Sequence, residues 1–302
     1  MGDIKVVAIM GATASGKSAL ALSLAREFNG EIISADSAQV YRRVDIGTAK
    51  PTPAERSEIP HHLIDICDLG ESFSLADFQR LAGALIDDIS SRGRLPIVVG
   101  GTGLYVRGLL EGYTLIAPAP DLALREALNA RDLEDLLAEL QERDSDTYES
   151  IDRCNKRRVA RALEVIIQTG LSFRACSKRC PPPWQTLKIG WNRPREELRQ
   201  RIDGRLQAML ERGWVQEVEG ILADNLECEL LRANILGYER VMAYAKGQIS
   251  ASAMRDDIFT QTCRFAKRQS TWLRAEKGLC SVDAGEAGME AVRQMTQTLL
   301  SG

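Results

Sequence analysis

Eight residues near the start of the chain have the types and spacing to hold a phosphate group. Gly11-Ala12-Thr13-Ala14-Ser15-Gly16-Lys17-Ser18 reads G-x-x-x-x-G-K-S. Its glycines let backbone N–H groups turn inward, and a helix starting there points its positive dipole end at an anion. Lys17 supplies a mobile cation for outer phosphates, and Ser18 a hydroxyl for Mg²⁺. A phosphate or pyrophosphate is the expected ligand, as in the P-loop, nucleotide-binding and ATP-binding proteins. Asp36 ends a second apolar run, where the carboxyl end of a parallel strand faces the ligand crevice. There it can act as a base or organise Mg²⁺. It can equally cap a helix, and position alone does not choose. Val99 leads into Gly100-Gly101-Thr102 where an ATP-hydrolysing relative would carry a Mg²⁺-holding Asp. That strand end brings backbone close to a ligand and offers the Thr102 hydroxyl. It weakens an NTPase reading without removing small-molecule kinases.

The elements that must position these groups are legible in the pattern. Val6 to Met10 reads as a buried strand before the loop, and Ala19 to Phe28 as the helix after it. Gly30 to Ser34 and Leu95 to Val99 read as further strands, and Pro60 to Ile66 as another. A helix is predicted from Phe73 to about Ser91, with Ser74 as N-cap and Asp77 completing a near capping box. Ala117-Pro118-Ala119-Pro120 marks a boundary, after which the pattern is helical, clearest at 122–130, 133–141 and 159–169. Leu187 to Trp191 reads as a strand returning to the sheet, followed by helices at 196–212, 214–223, 237–246, 251–274 and 289–300. The expected fold class is α/β, a P-loop NTPase-like core with a parallel sheet flanked by helices plus an all-helical insertion domain. The expected divisions are 1–115 and 184–302 for the core and 116–183 for the insertion.

The chain has 302 residues and a formal net charge of -3, so overall charge does not announce nucleic acid. Local asymmetry does more. Arg153, Lys156, Arg157, Arg158 and Arg161 follow an acidic stretch, and Arg264, Lys267, Arg268, Arg274 and Lys277 form a second basic cluster. Such runs are commonly solvated helix faces, and a polyanion partner is the other reading. The seven cysteines are scattered, no signal peptide or long apolar span precedes them, and a reducing cytoplasm with free thiols is expected. Cys176 and Cys180 have half of a metal-ligand spacing, but the only histidines are His61 and His62 and no second pair completes it.

Several stretches together resemble the bacterial tRNA dimethylallyltransferases (tRNA isopentenyltransferases). Besides the loop these are Asp36-Ser37-Ala38-Gln39-Val40-Tyr41, Asp45-Ile46-Gly47-Thr48-Ala49-Lys50-Pro51 and Val99-Gly100-Gly101-Thr102-Gly103-Leu104-Tyr105. Arg158 to Val165, Gly237-Tyr238 and Ala266 to Trp272 also match, in the family's order along nearly the whole chain. The resemblance implies transfer of a dimethylallyl group from its diphosphate to N6 of adenosine 37 beside the tRNA anticodon, with Mg²⁺ as cofactor and release of pyrophosphate. It makes Asp36 the base, places Thr102 in the reaction channel, and puts Lys17 and the whole loop on the diphosphate. It assigns Asp36, Ser37, Ala38, Gln39 and Thr102 to the target nucleotide. Arg125, Arg157, Arg158, Arg161, Lys267 and Arg268 become tRNA contacts. A monomer acting on the anticodon stem-loop, without a membrane, is expected.

The chain departs from the family pattern at Ala12, where Pro is usual, and at Cys154, Asn234 and Cys263. None of these replaces Lys17 or Asp36, and neither Cys263 nor Asn234 is carried over as functional. A small-metabolite kinase explains the first 110 residues but gives no reason for the insertion. An adenylate isopentenyltransferase shares the chemistry but not the basic helices. A non-catalytic RNA-binding protein has no use for Lys17, Ser18, Asp36 and Thr102 together.

Overall fold

The computed structural model describes residues 3–113, 121–177 and 179–302. In chain order the elements are β1 (Lys5–Met10), α1 (Lys17–Glu27), β2 (Gly30–Ser34), α2 (Pro53–Glu58), β3 (His61–His62), α3 (Leu75–Ser91), β4 (Leu95–Gly100) and α4 (Gly103–Glu111). Then come α5 (Leu122–Ala130), α6 (Leu133–Arg143), α7 (Ser145–Ser150) and α8 (Lys156–Thr169). The remainder is β5 (Gln185–Asn192), α9 (Arg195–Glu211), α10 (Trp214–Ala223), α11 (Glu227–Ala233), α12 (Tyr238–Ala245), α13 (Ala251–Arg274), β6 (Leu279–Asp283) and α14 (Glu286–Ser301).

The chain divides into two compact units, one of residues 1–110 with 183–302, the other of 111–182. The first holds a six-stranded sheet in the order β3-β2-β4-β1-β5-β6, with every pairing parallel. Strands buried on both faces carry continuous apolar runs, and β1 from Val6 to Met10 is fully buried. One face packs Phe78, Ile86 and Ile89 of α3, the other Leu20, Leu24 and Ala25 of α1. Helix α3 begins where its sequence requires: the Ser74 hydroxyl accepts from the Asp77 N–H while the Asp77 carboxylate accepts from the Ser74 N–H.

The second unit is helical, with Leu136, Leu140, Val159 and Leu163 at its centre. Its buried carboxylate Glu164 is held by two guanidiniums, Arg125 at 3.0 Å and Arg161 at 2.8 Å. The expected boundary at Ala117 to Pro120 lies outside the described residues.

One expected strand is mostly absent. Of Pro60 to Ile66 only His61 and His62 pair in the sheet, because Leu63 and Asp65 adopt left-handed backbone (φ 60 and φ 58) that ends extended pairing. The Asp65 carboxylate is instead drawn to Lys50 and Arg56, both at 2.6 Å. The elements not anticipated are α2, α4, α7, α11 and β6, all short. Of these, α2 carried a readable start, with Thr52 and Glu55 forming a full capping box and Pro53 in the first turn.

Candidate active site

The phosphate-type loop joins β1 to α1, and its carbonyl groups are tied back by cations. Arg193 Nε donates to the Ser15 carbonyl at 2.6 Å, Arg201 Nε to that of Ala14 at 2.8 Å, and Lys17 Nζ to that of Ala12 at 3.3 Å. Gly16 caps α1 with φ 92, a left-handed turn that glycine adopts without steric cost. The first N–H groups of α1 have no partners within the helix, and no acidic side chain occupies its first turn. The loop therefore presents donors inward and no compensating anion. Two loop N–H groups are already taken, that of Thr13 by Gln269 Oε1 at 2.8 Å and that of Ser15 by the Ala12 carbonyl at 3.2 Å.

Two cavities in this unit meet at the loop. The first, about 170 Å³, is lined by Thr13, Lys17, Ser18, Asp36, Gln39, Arg205 and Gln269 among others. The second, about 210 Å³, shares Thr13, Asp36, Thr48, Arg205 and Phe265, and its far wall is Ile202, Leu206, Met209, Trp214, Ile235 and Ile258. A charged end thus runs into an apolar one, with Asp36 on the walls of both.

Asp36 caps no helix. Its Oδ1 accepts from the Ala38 N–H at 2.9 Å and the Gln39 N–H at 3.4 Å, an Asx-type turn that fixes the carboxyl plane. No hydrogen bond to Oδ2 exists among the described residues, which leaves that oxygen available to a substrate. Thr102 Oγ1 accepts from the Ser37 N–H at 3.1 Å and donates to Ser37 Oγ at 3.4 Å. Burial pushes the Lys17 ammonium down to about 8, opposed by Asp36 and reinforced by Arg205. Burial also lowers Arg205, against the pull of Asp36. Two cations near one carboxylate, in a cavity that disfavours charge, are poised to gain from a polyanion.

The structure brings together the loop, Asp36, Ser37, Ala38, Thr102 and Lys17 as the sequence suggested. Gln39 lines the first cavity, but its amide is spent internally: Oε1 accepts from Ser34 Oγ at 2.9 Å, and Nε2 donates to the Thr48 and Ala49 carbonyls at 3.2 Å. The glycines of the 100–103 segment pack tightly against the fold. A Cβ at Gly100 would collide with the Ala35 carbonyl, one at Gly101 with the Gln269 amide, and one at Gly103 with the Trp272 ring. Each therefore approaches protein closely, and Gly100 also lines the first cavity. Arg125 and Arg161, expected as tRNA contacts, are both engaged with Glu164. Arg157 and Arg158 are exposed in the first turn of α8, where the helix dipole disfavours cations. Lys267 and Arg268 are exposed on α13, with the Arg268 guanidinium over Phe265.

The residues that sequence reasoning missed are Arg193, Arg201, Arg205 and Gln269. A clue to two of them was present: Arg201 and Arg205 lie four apart, hence on one face, in the helix that follows the returning strand. Gln269 carried no such clue. Among the departures, Asn234 ends α11 with φ 48 and lines the apolar cavity; Asn tolerates that conformation well. Ala12 is buried against Leu198, Ile202 and Ala266.

The family described as "IPP transferase" matches residues 39–276 of this chain, and that described as "Isopentenyl transferase" matches residues 4–71. The chain belongs to the IPP transferase family. This isopentenyl-transferase chain is 43% identical over 293 residues to a protein of Roseiflexus sp. (strain RS-1) named tRNA dimethylallyltransferase, covering 95% of each. It superposes on the full-length tRNA isopentenylpyrophosphate transferase from Bacillus halodurans with a TM-score of 0.73 at 37% identity, covering 99% of this chain and 97% of that one. A eukaryotic dimethylallyltransferase captured acting on tRNA gives a TM-score of 0.80 at 30% identity, covering 94% of this chain and 74% of that one. Among the described residues, no helix of this transferase is long and apolar enough to cross a membrane, and no cluster of three or more His, Cys, Asp or Glu could hold a metal ion. All seven cysteines are free.

Proposed function

We propose that this chain transfers a dimethylallyl group from dimethylallyl diphosphate to N6 of adenosine 37 in tRNA. The observation that carries the reading is Asp36, set between a cationic loop and an apolar chamber. In that arrangement the N6 lone pair attacks C1 of the dimethylallyl group and the C1–O bond breaks. Pyrophosphate leaves with the bonding electrons, and Asp36 Oδ2 takes the N6 proton. Lys17, Arg205 and the amides at the start of α1 stabilise the charge that grows on the leaving group. The apolar wall around Leu206 and Met209 shields the reacting carbon from water. Thr102, bonded to Ser37, keeps the segment bearing Asp36 at the mouth.

The cavity fits Mg²⁺ in the manner typical of that ion, which takes one or two protein oxygens and completes its shell with phosphates and water. Ser18 is exposed at the first cavity and would hold it beside the diphosphate. When bound, Mg²⁺ neutralises charge on the pyrophosphate oxygens. Arg157 and Arg158 support an RNA partner, because exposed cations at a helix N-terminus cost stability unless an anion repays it. Lys267 and Arg268 offer cations of the same kind on α13. We place the reaction in the cytoplasm, on the anticodon stem-loop, with the protein acting as a monomer.

The test is label transfer from dimethylallyl diphosphate to an anticodon stem-loop RNA with Mg²⁺, beside free AMP and a loop carrying G at position 37. Label in the adenosine-37 loop alone is expected. Label in AMP would reassign the acceptor to free nucleotide, and no label with folded protein would overturn the alkyl-transfer reading.

A further inference from the structure

We propose that Gln269 is a positioning residue for the transfer, holding the leaving-group loop at a fixed distance from the segment that bears the base. The inference rests on the proposed alkyl transfer. Gln269 lies on α13, only 7% exposed, and both hydrogen-bond partners of its side-chain amide are far away in sequence. Its Oε1 accepts from the Thr13 N–H at 2.8 Å, and its Nε2 donates to the Gly101 carbonyl at 2.9 Å. Gly101 leads directly to Thr102, whose Oγ1 accepts from the Ser37 N–H at 3.1 Å, one residue from Asp36. One side-chain amide therefore closes a path from the anion loop to the base.

The chemistry of the position is restrictive. The link needs an acceptor for Thr13 and a donor for Gly101 on one rigid group, and an uncharged one beside an anion site. Carboxylates lack the donor, ammonium groups lack the acceptor, and Gln supplies both without charge. Gly101 belongs to the same device, because a Cβ there would strike the amide. The link consumes the Thr13 N–H, so that donor serves spacing and the later amides serve the diphosphate. Misplacement by about 1 Å costs on the order of 10²-fold in rate, which is the scale on which such a strut acts.

The experiment uses the full chain carrying Gln269→Met, Gly101→Ala, or both. Single-turnover rate, KM for dimethylallyl diphosphate and thermal midpoint are measured, together with hydrogen exchange at the Thr13 amide. Gln269→Met is expected to lower the saturating rate about tenfold or more while the diphosphate KM moves less than about threefold, since the anion-holding groups remain. Gly101→Ala should mimic it, and the double variant should be no worse than the poorer single, as for two cuts in one strut. The Thr13 amide should be protected in the native chain and exposed in Gln269→Met. An unprotected native Thr13 amide overturns the proposal, as do losses confined to KM, additive losses, or rates that merely follow the thermal midpoint. A native chain that protects Thr13 yet transfers no label to RNA overturns the proposed function instead, and with it the role of the strut in that reaction.

Discussion

Two groups of arginines in this chain look alike as sequence and differ in what their charges meet. Arg193 and Arg201 bind backbone carbonyls of the loop, and Arg205 reaches Thr13 Oγ1 at 3.4 Å. Arg193 also pairs with Glu197, whereas among the described residues no carboxylate forms an ion pair with Arg201 or Arg205, and Arg205 lines both cavities. In the helical unit, Arg125 and Arg161 share Glu164, which is 1% exposed on its side chain, and their charge is largely answered within the fold. Arg157 and Arg158 in the same helix are not answered this way. A basic motif is thus not one functional unit: every third or fourth residue turns inward, and the helix period assigns those to structure.

The comparison can be broken at both ends. The largest expected effect is at the carboxylate the loop arginines serve: Asp36→Ala should lower single-turnover transfer about 10²-fold or more and spare RNA affinity. A loss below about threefold would remove Asp36 as the base. Next is Arg205→Ala, which should weaken pyrophosphate binding by about 10- to 100-fold, the scale of a charge-assisted contact in a shielded cavity. Titration calorimetry with the variant checks it, and unchanged affinity would reduce Arg205 to a packing residue.

A pH profile gives a third, smaller effect. Lys17 in the free protein is charged below about 8, whereas a bound polyanion favours the ammonium form. Below that pH no proton need be taken up and affinity is level. Above it binding must capture a proton, so the affinity for dimethylallyl diphosphate, an ester already fully ionised there, should fall by up to tenfold per pH unit. A flat profile from pH 7 to 9.5 would contradict it.

The smallest effects divide the second arginine group. Arg157→Ala and Arg158→Ala should each lower the salt slope of RNA binding by about 0.7–0.9 without altering stability. Arg161→Ala should instead cost about 1–2 kcal/mol of stability, the buried-pair penalty reduced for its partial exposure, with a slope change below about 0.3. Equal slopes for all three would restore the motif as a single contact surface.

Much of this was legible because it is local. The loop and its flanking strand and helix are encoded within 25 residues, and the Ser74–Asp77 capping box fixes the start of α3 from four. The site's orientation towards Asp36 followed from the parallel sheet. What escaped notice depends on residues distant in sequence. Gln269 meets Thr13 across 256 positions, and no periodicity reports such a contact. Gly47 reads as part of a polar loop, yet a Cβ there would collide with the Trp214 ring, so it exists to admit an indole from α10. Pro60 to Ile66 looked extended because its residues favour strands. Two left-handed residues that follow an ion-pair network, not propensity, ended it.

The placement of β1 also has a kinetic consequence. It pairs on one side with β4 and on the other with β5, where Lys5 lies opposite Gln185. As the chain emerges from a ribosome, the loop residues are made before their holders, Arg193, Arg201 and Gln269, which follow their partners by 178, 187 and 256 positions. Local contacts close quickly and distant parallel pairings slowly. The segment 111–182, whose contacts are local, can collapse while β1 still waits for its second neighbour. The anion cradle is synthesised well before it can acquire its shape, so phosphate-analogue binding during refolding should report completion of the sheet.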